Sequence, residues 1–221
     1  TVVTGPVTVT GPGSDGINVT ATGCTTVSVT ATGNVTSAQG IGIDAESGCD
    51  LIINTASGAD VSGAIAGIEA TSGTGTTINL GGDVSATAGP ALDADAAVVT
   101  VSAPGSITGQ IDLTDNDDVL TNGGTLFATR SSDFGAGTDL LTNLGLISVS
   151  GTQTYAGLET LANTGGVIDM RDGATDDSLT IPGDYVGSAG AFLGVDVGPG
   201  TAGDQLVIGG SATGSTAVVF D

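Results

Sequence analysis

The chain has 221 residues, of which 24 are Asp or Glu and only two, Arg130 and Arg171, are basic; histidine is absent and the formal charge is −22. An excess of that size excludes nucleic acid and anionic membrane surfaces as electrostatic partners, because both require clustered Lys or Arg, and it favours solubility, export and association with cations. Hydrophobic residues make up 39% of the chain, aromatics 3% and charged residues 12%, with no Trp; this allows a core of aliphatic side chains and argues against disorder.

The sequence opens on the strand-like run Thr1-Val2-Val3-Thr4, with no charged-then-apolar leader, and no apolar run approaches membrane-helix length. The expectation is an exported chain without its signal that does not itself span a membrane. Thr8-Val9-Thr10 and Thr20-Ala21-Thr22 follow. They do not recur in strict register, so a flat threonine array of the kind that binds ice is not expected.

From Cys24 onward three short motifs recur in fixed order. Apolar-x-apolar stands at Val27/Val29, Leu51/Ile53, Ile78/Leu80 and Val99/Val101. Apolar-hydroxyl stands at Val35-Thr36, Val61-Ser62, Val84-Ser85 and Ile107-Thr108. Gly-apolar-acidic-Ala stands at Gly42-Ile43-Asp44-Ala45 and Gly67-Ile68-Glu69-Ala70, with a looser Ala91-Leu92-Asp93-Ala94. Three strand-sized motifs per period of about 25 residues, separated by Gly, Ser, Asp and Asn, describe one coil of a β-solenoid. A helical solenoid is the rival at this period, but Thr, Val, Ser and Gly dominate and no apolar stripe has helical spacing. The predicted fold is an all-β, right-handed parallel β-helix, one solenoid over 1–221 with about ten coils of 20–26 residues.

The spacing of these motifs bears on two candidate sites. Cys24 and Cys49 lie one period apart, which places them on adjacent rungs at about 4.8 Å, within disulfide reach. A disulfide is the expected state, with a buried pair of free thiols as the alternative and a metal site disfavoured for want of His or further Cys. Asp44, Glu69 and Asp93 should point outward from neighbouring rungs. A solvated acidic face is the first reading and Ca²⁺ binding the second, as it is for Asp115, Asp117 and Asp118 and for the run from Asp172 to Asp177. None has the spacing of a known calcium loop.

The chain changes character near residue 110. Residues 1–110 form acidic coils of about 25 residues, whereas 111–221 hold both arginines, all the Phe and Tyr, and shorter coils. Here Asp118-Val119-Leu120-Thr121-Asn122, Asp139-Leu140-Leu141-Thr142-Asn143 and Glu159-Thr160-Leu161-Ala162-Asn163 repeat. Asn122, Asn143 and Asn163 are expected to stack as a structural amide ladder at equivalent turns; a ligand site is the alternative.

The last third holds Gly165-Gly166-Val167-Ile168-Asp169-Met170, then Leu179-Thr180-Ile181-Pro182-Gly183-Asp184-Tyr185, Leu193-Gly194-Val195-Asp196-Val197, and Gly203-Asp204-Gln205-Leu206-Val207-Ile208-Gly209-Gly210-Ser211-Ala212-Thr213-Gly214. Over about 110–221 this resembles the end of autotransporter passenger domains. The resemblance implies a segment that closes a β-helix and helps it fold after export, ahead of a membrane β-barrel. It implies an extracellular or outer-membrane surface location, with membrane attachment only through a barrel that this sequence does not contain.

Catalysis is not expected. Without His or Lys a Ser or Thr nucleophile lacks its usual base, and lyase chemistry has only Arg130 and Arg171 to draw on. Paired aspartates for glycoside hydrolysis remain as a third reading. The leading reading is a non-enzymatic surface stalk or adhesin that engages a surface receptor or glycan. The second is a filament subunit that associates with copies of itself through its solenoid ends, with no cofactor other than Ca²⁺ in either case.

Overall fold

In a computed structural model of the chain, strands wind through two parallel sheets, one of 18 strands that covers two faces and one of nine that makes the third face of a β-solenoid. The structure describes residues 2–95, 97–200 and 202–221; Thr1, at the head of the expected opening strand, lies outside them. Except where Ala97–Thr108 and Val119–Ala128 each run through the first face and the second, one coil contributes one strand to each face. In the second coil these are Val27–Ala31 on the first face, Val35–Ser37 on the second and Ile43–Ser47 on the third. Nine strands stack on the third face, from Ile17–Ala21 to Gln205–Ile208. The solenoid therefore has nine complete coils and the two strands Ala212–Gly214 and Ala217–Phe220 of another, where the periodicity gave about ten. Among the described residues there is no helix, and so none long and apolar enough to cross a membrane.

Every rung-to-rung pairing is parallel, so each inward position forms a column running the length of the coil stack. The first face buries Val29, Ile53, Ile78, Val99, Leu120, Leu141 and Leu161 in one such column. The second buries Val35, Val61, Val84, Ile107, Leu126, Ile147 and Ile168. The third begins with Ile17, Ile43, Ile68, Leu92 and Ile111. Strand-period alternation sends every second side chain into this core, and like stacks on like with small change in volume from rung to rung. Rings enter where the sequence supplies them: Phe134 and Tyr155 are buried with centroids 5.7 Å apart.

The register corrects one motif alignment. Ile78 pairs with Ile53 rather than with Leu51, so Thr76 pairs with Leu51 and Leu80 with Thr55. A shift of two residues leaves the inward phase of a strand unchanged, so the motif preserved the face but not the column. Thr55 and Thr76 become buried hydroxyls: Thr55 Oγ1 accepts from the amides of Gly81 and Gly82, and Thr76 Oγ1 bonds to Ser72 Oγ.

The glycines of the third-face motif have a steric cause. A Cβ on Gly42 would sit 2.5 Å from the Gly67 carbonyl oxygen, and one on Gly67 would run into that of Ala91. The chain can turn this corner one rung above its own copy only without a side chain.

Coil length follows the expected trend only in part. Matched residues lie 26 and 25 apart in the early coils and 21 and 20 apart between Asn122 and Asn163, but separations return to 26 and 27 toward the C-terminal end. The extra residues there form the turns that carry Asp172 to Asp177 and, among the described residues, 196–200 and 202–204.

Cys24 and Cys49 form a disulfide between adjacent coils, with Cα atoms 4.8 Å apart and a sequence separation of 25. Intact mass after alkylation without reductant should show no modified thiol. Reduction should lower stability by about 3.5 kcal/mol at most, because the parallel ladder already holds these coils together.

Candidate functional site

The faces carry charge unequally. On the third face, the outward residue of each motif stacks on that of the next. Asn18, Asp44, Glu69, Asp93, Asp112 and Asp133 form one continuous ladder. The expected members Asp44, Glu69 and Asp93 are thus brought onto one line. Asp112 and Asp133 extend it: their surroundings, Ile111-Asp112-Leu113 and Ser132-Asp133-Phe134, lack the flanking Gly and Ala that marked the earlier repeats. Asn18 closes one end by donating from Nδ2 to Asp44 Oδ2 at 2.5 Å.

Asp44, Glu69, Asp93 and Asp112 are partly buried on their rungs, and that raises them above the usual range. Burial is the larger cause for Asp44, Glu69, Asp93 and Asp112, with repulsion from neighbouring acids second. Asp93, between Glu69 and Asp112, is pushed up to about 6. Beside the ladder lies an open trough of about 640 Å³ whose walls include Asp95, Asp112, Asp115, Asn116 and Asp133. Among the described residues no three Asp or Glu side chains converge as a metal ligand set.

Asp115, Asp117 and Asp118 do not share a site. Asp115 lines the trough, Asp117 Oδ1 accepts the Thr138 amide at 2.8 Å, and Asp118 turns inward, with no exposed surface. The acidic run further on is likewise tied to backbone. Asp172 Oδ1 accepts the Ala174 amide, the Asp172 and Gly173 amides donate to Asp196 Oδ2, and Asp177 Oδ1 accepts the Gly151 amide.

The asparagines stack as expected, but inside the solenoid rather than on a turn surface. Asn122, Asn143 and Asn163 are fully buried in the column that holds Ala31, Thr55, Leu80 and Val101 in earlier coils. Asn122 Nδ2 donates to Asn143 Oδ1 at 2.8 Å and Asn143 Nδ2 to Asn163 Oδ1 at 3.0 Å. The same amides donate to the carbonyls of Leu146 and Val167 across the corner, and Asn163 Nδ2 meets Tyr185 Oη, which bonds to Thr216 Oγ1. All of this hydrogen-bonding capacity is spent on the chain itself.

The two arginines are also engaged. Arg130 donates to the carbonyls of Gly89 and Ala88, and Arg171 pairs with Asp169 at 2.7 Å.

The first face is the chemical opposite of the third. From Val27–Ala31 to Thr160–Asn163 its outward positions run Ser28/Thr30, Ile52/Asn54, Thr77/Asn79, Val98/Thr100, Val119/Thr121, Leu140/Thr142 and Thr160/Ala162. None of these is charged; Asp50, at the head of its strand, and Asp184, on the rung after Thr160, are the acids that border this stretch. Val98 is 49% exposed, and Asn79 Nδ2 donates to Asn54 Oδ1 across the surface. This uncharged face was not singled out by the sequence motifs, which mark inward residues. Its signal lies in the residues between them.

No family model matches the chain, and no solved structure matches it. A curated protein described as a probable autotransporter, YfaL of Escherichia coli strain K12, is 35% identical over 85 residues. That alignment covers 38% of this chain and 6% of the relative, so the chain spans a small part of that protein's length. The likeness and the β-solenoid together fit a β-helix of the autotransporter-passenger kind.

Proposed function

We propose that this chain is an exported, non-enzymatic stalk or adhesin of the autotransporter-passenger type, displayed outside the cell or at the outer membrane. The observation that carries the reading is the segregation of charge on a rigid solenoid whose sequence is partly similar to a probable autotransporter. The acidic third face keeps the rod soluble and repels like-charged surfaces, while the uncharged first face offers a long, flat strip of Val, Leu, Thr and Asn for contact.

The alternative is a filament subunit, favoured by the strand Ala217–Phe220, where Val218 and Phe220 are 46% and 63% exposed. A further coil, of this chain's continuation or of a second copy, would cover that edge. The glycan-active enzyme ranks third.

One assay separates them. The purified protein is applied to cultured cells and immobilised glycans, and the supernatants are analysed for new reducing ends. Binding weakened about tenfold or more, a loss of about 1.4 kcal/mol, by Val119→Glu with Leu140→Glu, and retained in Asp44→Asn, is the expected result. Binding that ignores the first-face charges overturns the assignment of that face. Release of reducing ends identifies an enzyme, and particle growth with concentration in light scattering identifies the filament.

A further inference from the structure

Three side-chain oxygens among the described residues are buried without a hydrogen-bond partner: Asp118 Oδ2, Asp139 Oδ2 and Asp177 Oδ2. All three belong to one device. A carboxylate standing immediately before a strand reaches to the preceding rung and accepts a backbone N–H there. The Ala97 amide donates to Asp118 Oδ1, the Asp118 amide to Asp139 Oδ1 at 2.8 Å, and the Asp139 amide to Glu159 Oε2 at 2.8 Å. Asp177 does the same for Gly151, and Asp204 for Asp177.

Asp118 and Asp139 sit on successive rungs of the inward column that opens with Val27, Leu51, Thr76 and Ala97. They are 0% and 1% exposed. One oxygen of each therefore anchors the start of a strand, and the other is enclosed with nothing to bond. The groups that face them are acids: Asp139, Asp95 and Asp117 toward Asp118, and Glu159 and Asp117 toward Asp139, whose carboxyl also receives the Asp118 backbone amide. Both arginines are committed elsewhere.

Two enclosed carboxylates about one rung apart, roughly 4.8 Å, with no counterion, are relieved by a single proton. Protonation of one member removes the like-charge repulsion and the cost of holding a second enclosed charge without a counterion. We propose that Asp118 and Asp139 form a proton-binding latch: a proton taken up by the enclosed pair in mildly acidic medium removes their mutual repulsion and tightens the middle coils, and neutral medium releases it.

The titration of these groups agrees. Burial is the main cause that pushes Asp118 up to about 6, with Asp139 adding repulsion, and burial likewise raises Asp139. A carboxyl raised in the folded state above its unfolded value of 3.8 makes the folded chain bind more protons than the unfolded chain. Stability is then gained as pH falls through about 6 and lost as it rises again.

Carboxyl-carbon NMR of the intact chain, with resonances assigned through each side chain, is the direct test. At least one of the pair should titrate near pH 6, with both carbons responding to the same event; ordinary carboxylate midpoints for both overturn the latch. Asp118→Asn and Asp139→Asn supply the second readout, since each keeps the acceptor for the backbone amide and places an N–H donor where the orphan oxygen stood. Each proton of linkage changes the folding constant about tenfold per pH unit between the two midpoints. The double variant should lose that factor between pH 4.5 and 6 and be the more stable protein at pH 7.5. A slope identical to the parent's overturns the proposal, and the carbon titration decides it if the variant fails to fold.

Discussion

Asn143→Ala is expected to destabilise the protein by about 3–5 kcal/mol and to lower its melting temperature by roughly 10–15 °C. The side chain stands in the middle of the buried ladder. It accepts from Asn122 Nδ2, and it donates to Asn163 Oδ1 and to the Val167 carbonyl. Truncation leaves Asn163 Oδ1 and the Val167 carbonyl short of a donor in a corner closed to water, at about 1–3 kcal/mol each, and opens a small void between rungs. In a solenoid each coil is held by its neighbours alone, so the loss should open the stack near residues 140–168 before the ends melt. Thermal unfolding followed by circular dichroism, with hydrogen exchange to locate the opening, checks both the size and the place. Asn54→Ala is the control. It removes an exposed amide that bonds to Asn79 across the surface, and it should cost under about 0.5 kcal/mol. Equal effects for the two substitutions would show that the buried ladder adds nothing beyond an ordinary surface pair.

The second large effect is electrostatic. Asp93→Asn should raise the melting temperature at pH 7.5 and change little at pH 4.5. Asp93 lies between Glu69 and Asp112 on the acidic ladder, and burial with its neighbours' repulsion raises it from 3.8 to about 6. Its ionised form is thus disfavoured by folding. The folded chain holds the extra proton between about pH 4 and 6, and stability falls as pH rises through that window. A shift of two pKa units corresponds to nearly 3 kcal/mol. The group is only half-buried and solvent screens it, so about 1 kcal/mol, or roughly 2–4 °C, is the expected gain from neutralising it. Ionic strength of about 0.1 M shortens the Debye length to about 10 Å and should shrink the difference between the parent and Asp93→Asn. Ca²⁺ at the same ionic strength tests the calcium reading, since a bound ion would stabilise the parent more than the variant. A parent that is more stable at pH 7.5 than at pH 5 would overturn this account of the acidic face.

The motif order and period in the sequence already determined that the chain coils. Val, Ile and Leu at alternate positions, broken by Gly and Asn every few residues, can bury an apolar side only by stacking, and that requirement is local enough to appear in one sequence. The same logic placed Cys24 over Cys49, Asp44 under Glu69, and Asn122 under Asn143, because a residue one period away is a neighbour one rung away.

Only the tertiary structure decided which column each residue enters and what it meets there. The slip between Leu51/Ile53 and Ile78/Leu80 is invisible to alternation, since a shift of two keeps the inward phase. In the same way, Asp118 reads in the sequence as a candidate Ca²⁺ ligand and Asp139 only as the head of a repeat. They are in fact inward members of a column that begins with Val27, and a carboxylate can occupy such a place only because a backbone N–H of the neighbouring rung is there to receive it. The uncharged first face was hidden for the complementary reason: nothing in one coil distinguishes Thr121 from any other exposed threonine until seven rungs are stacked and the row proves to contain no charge.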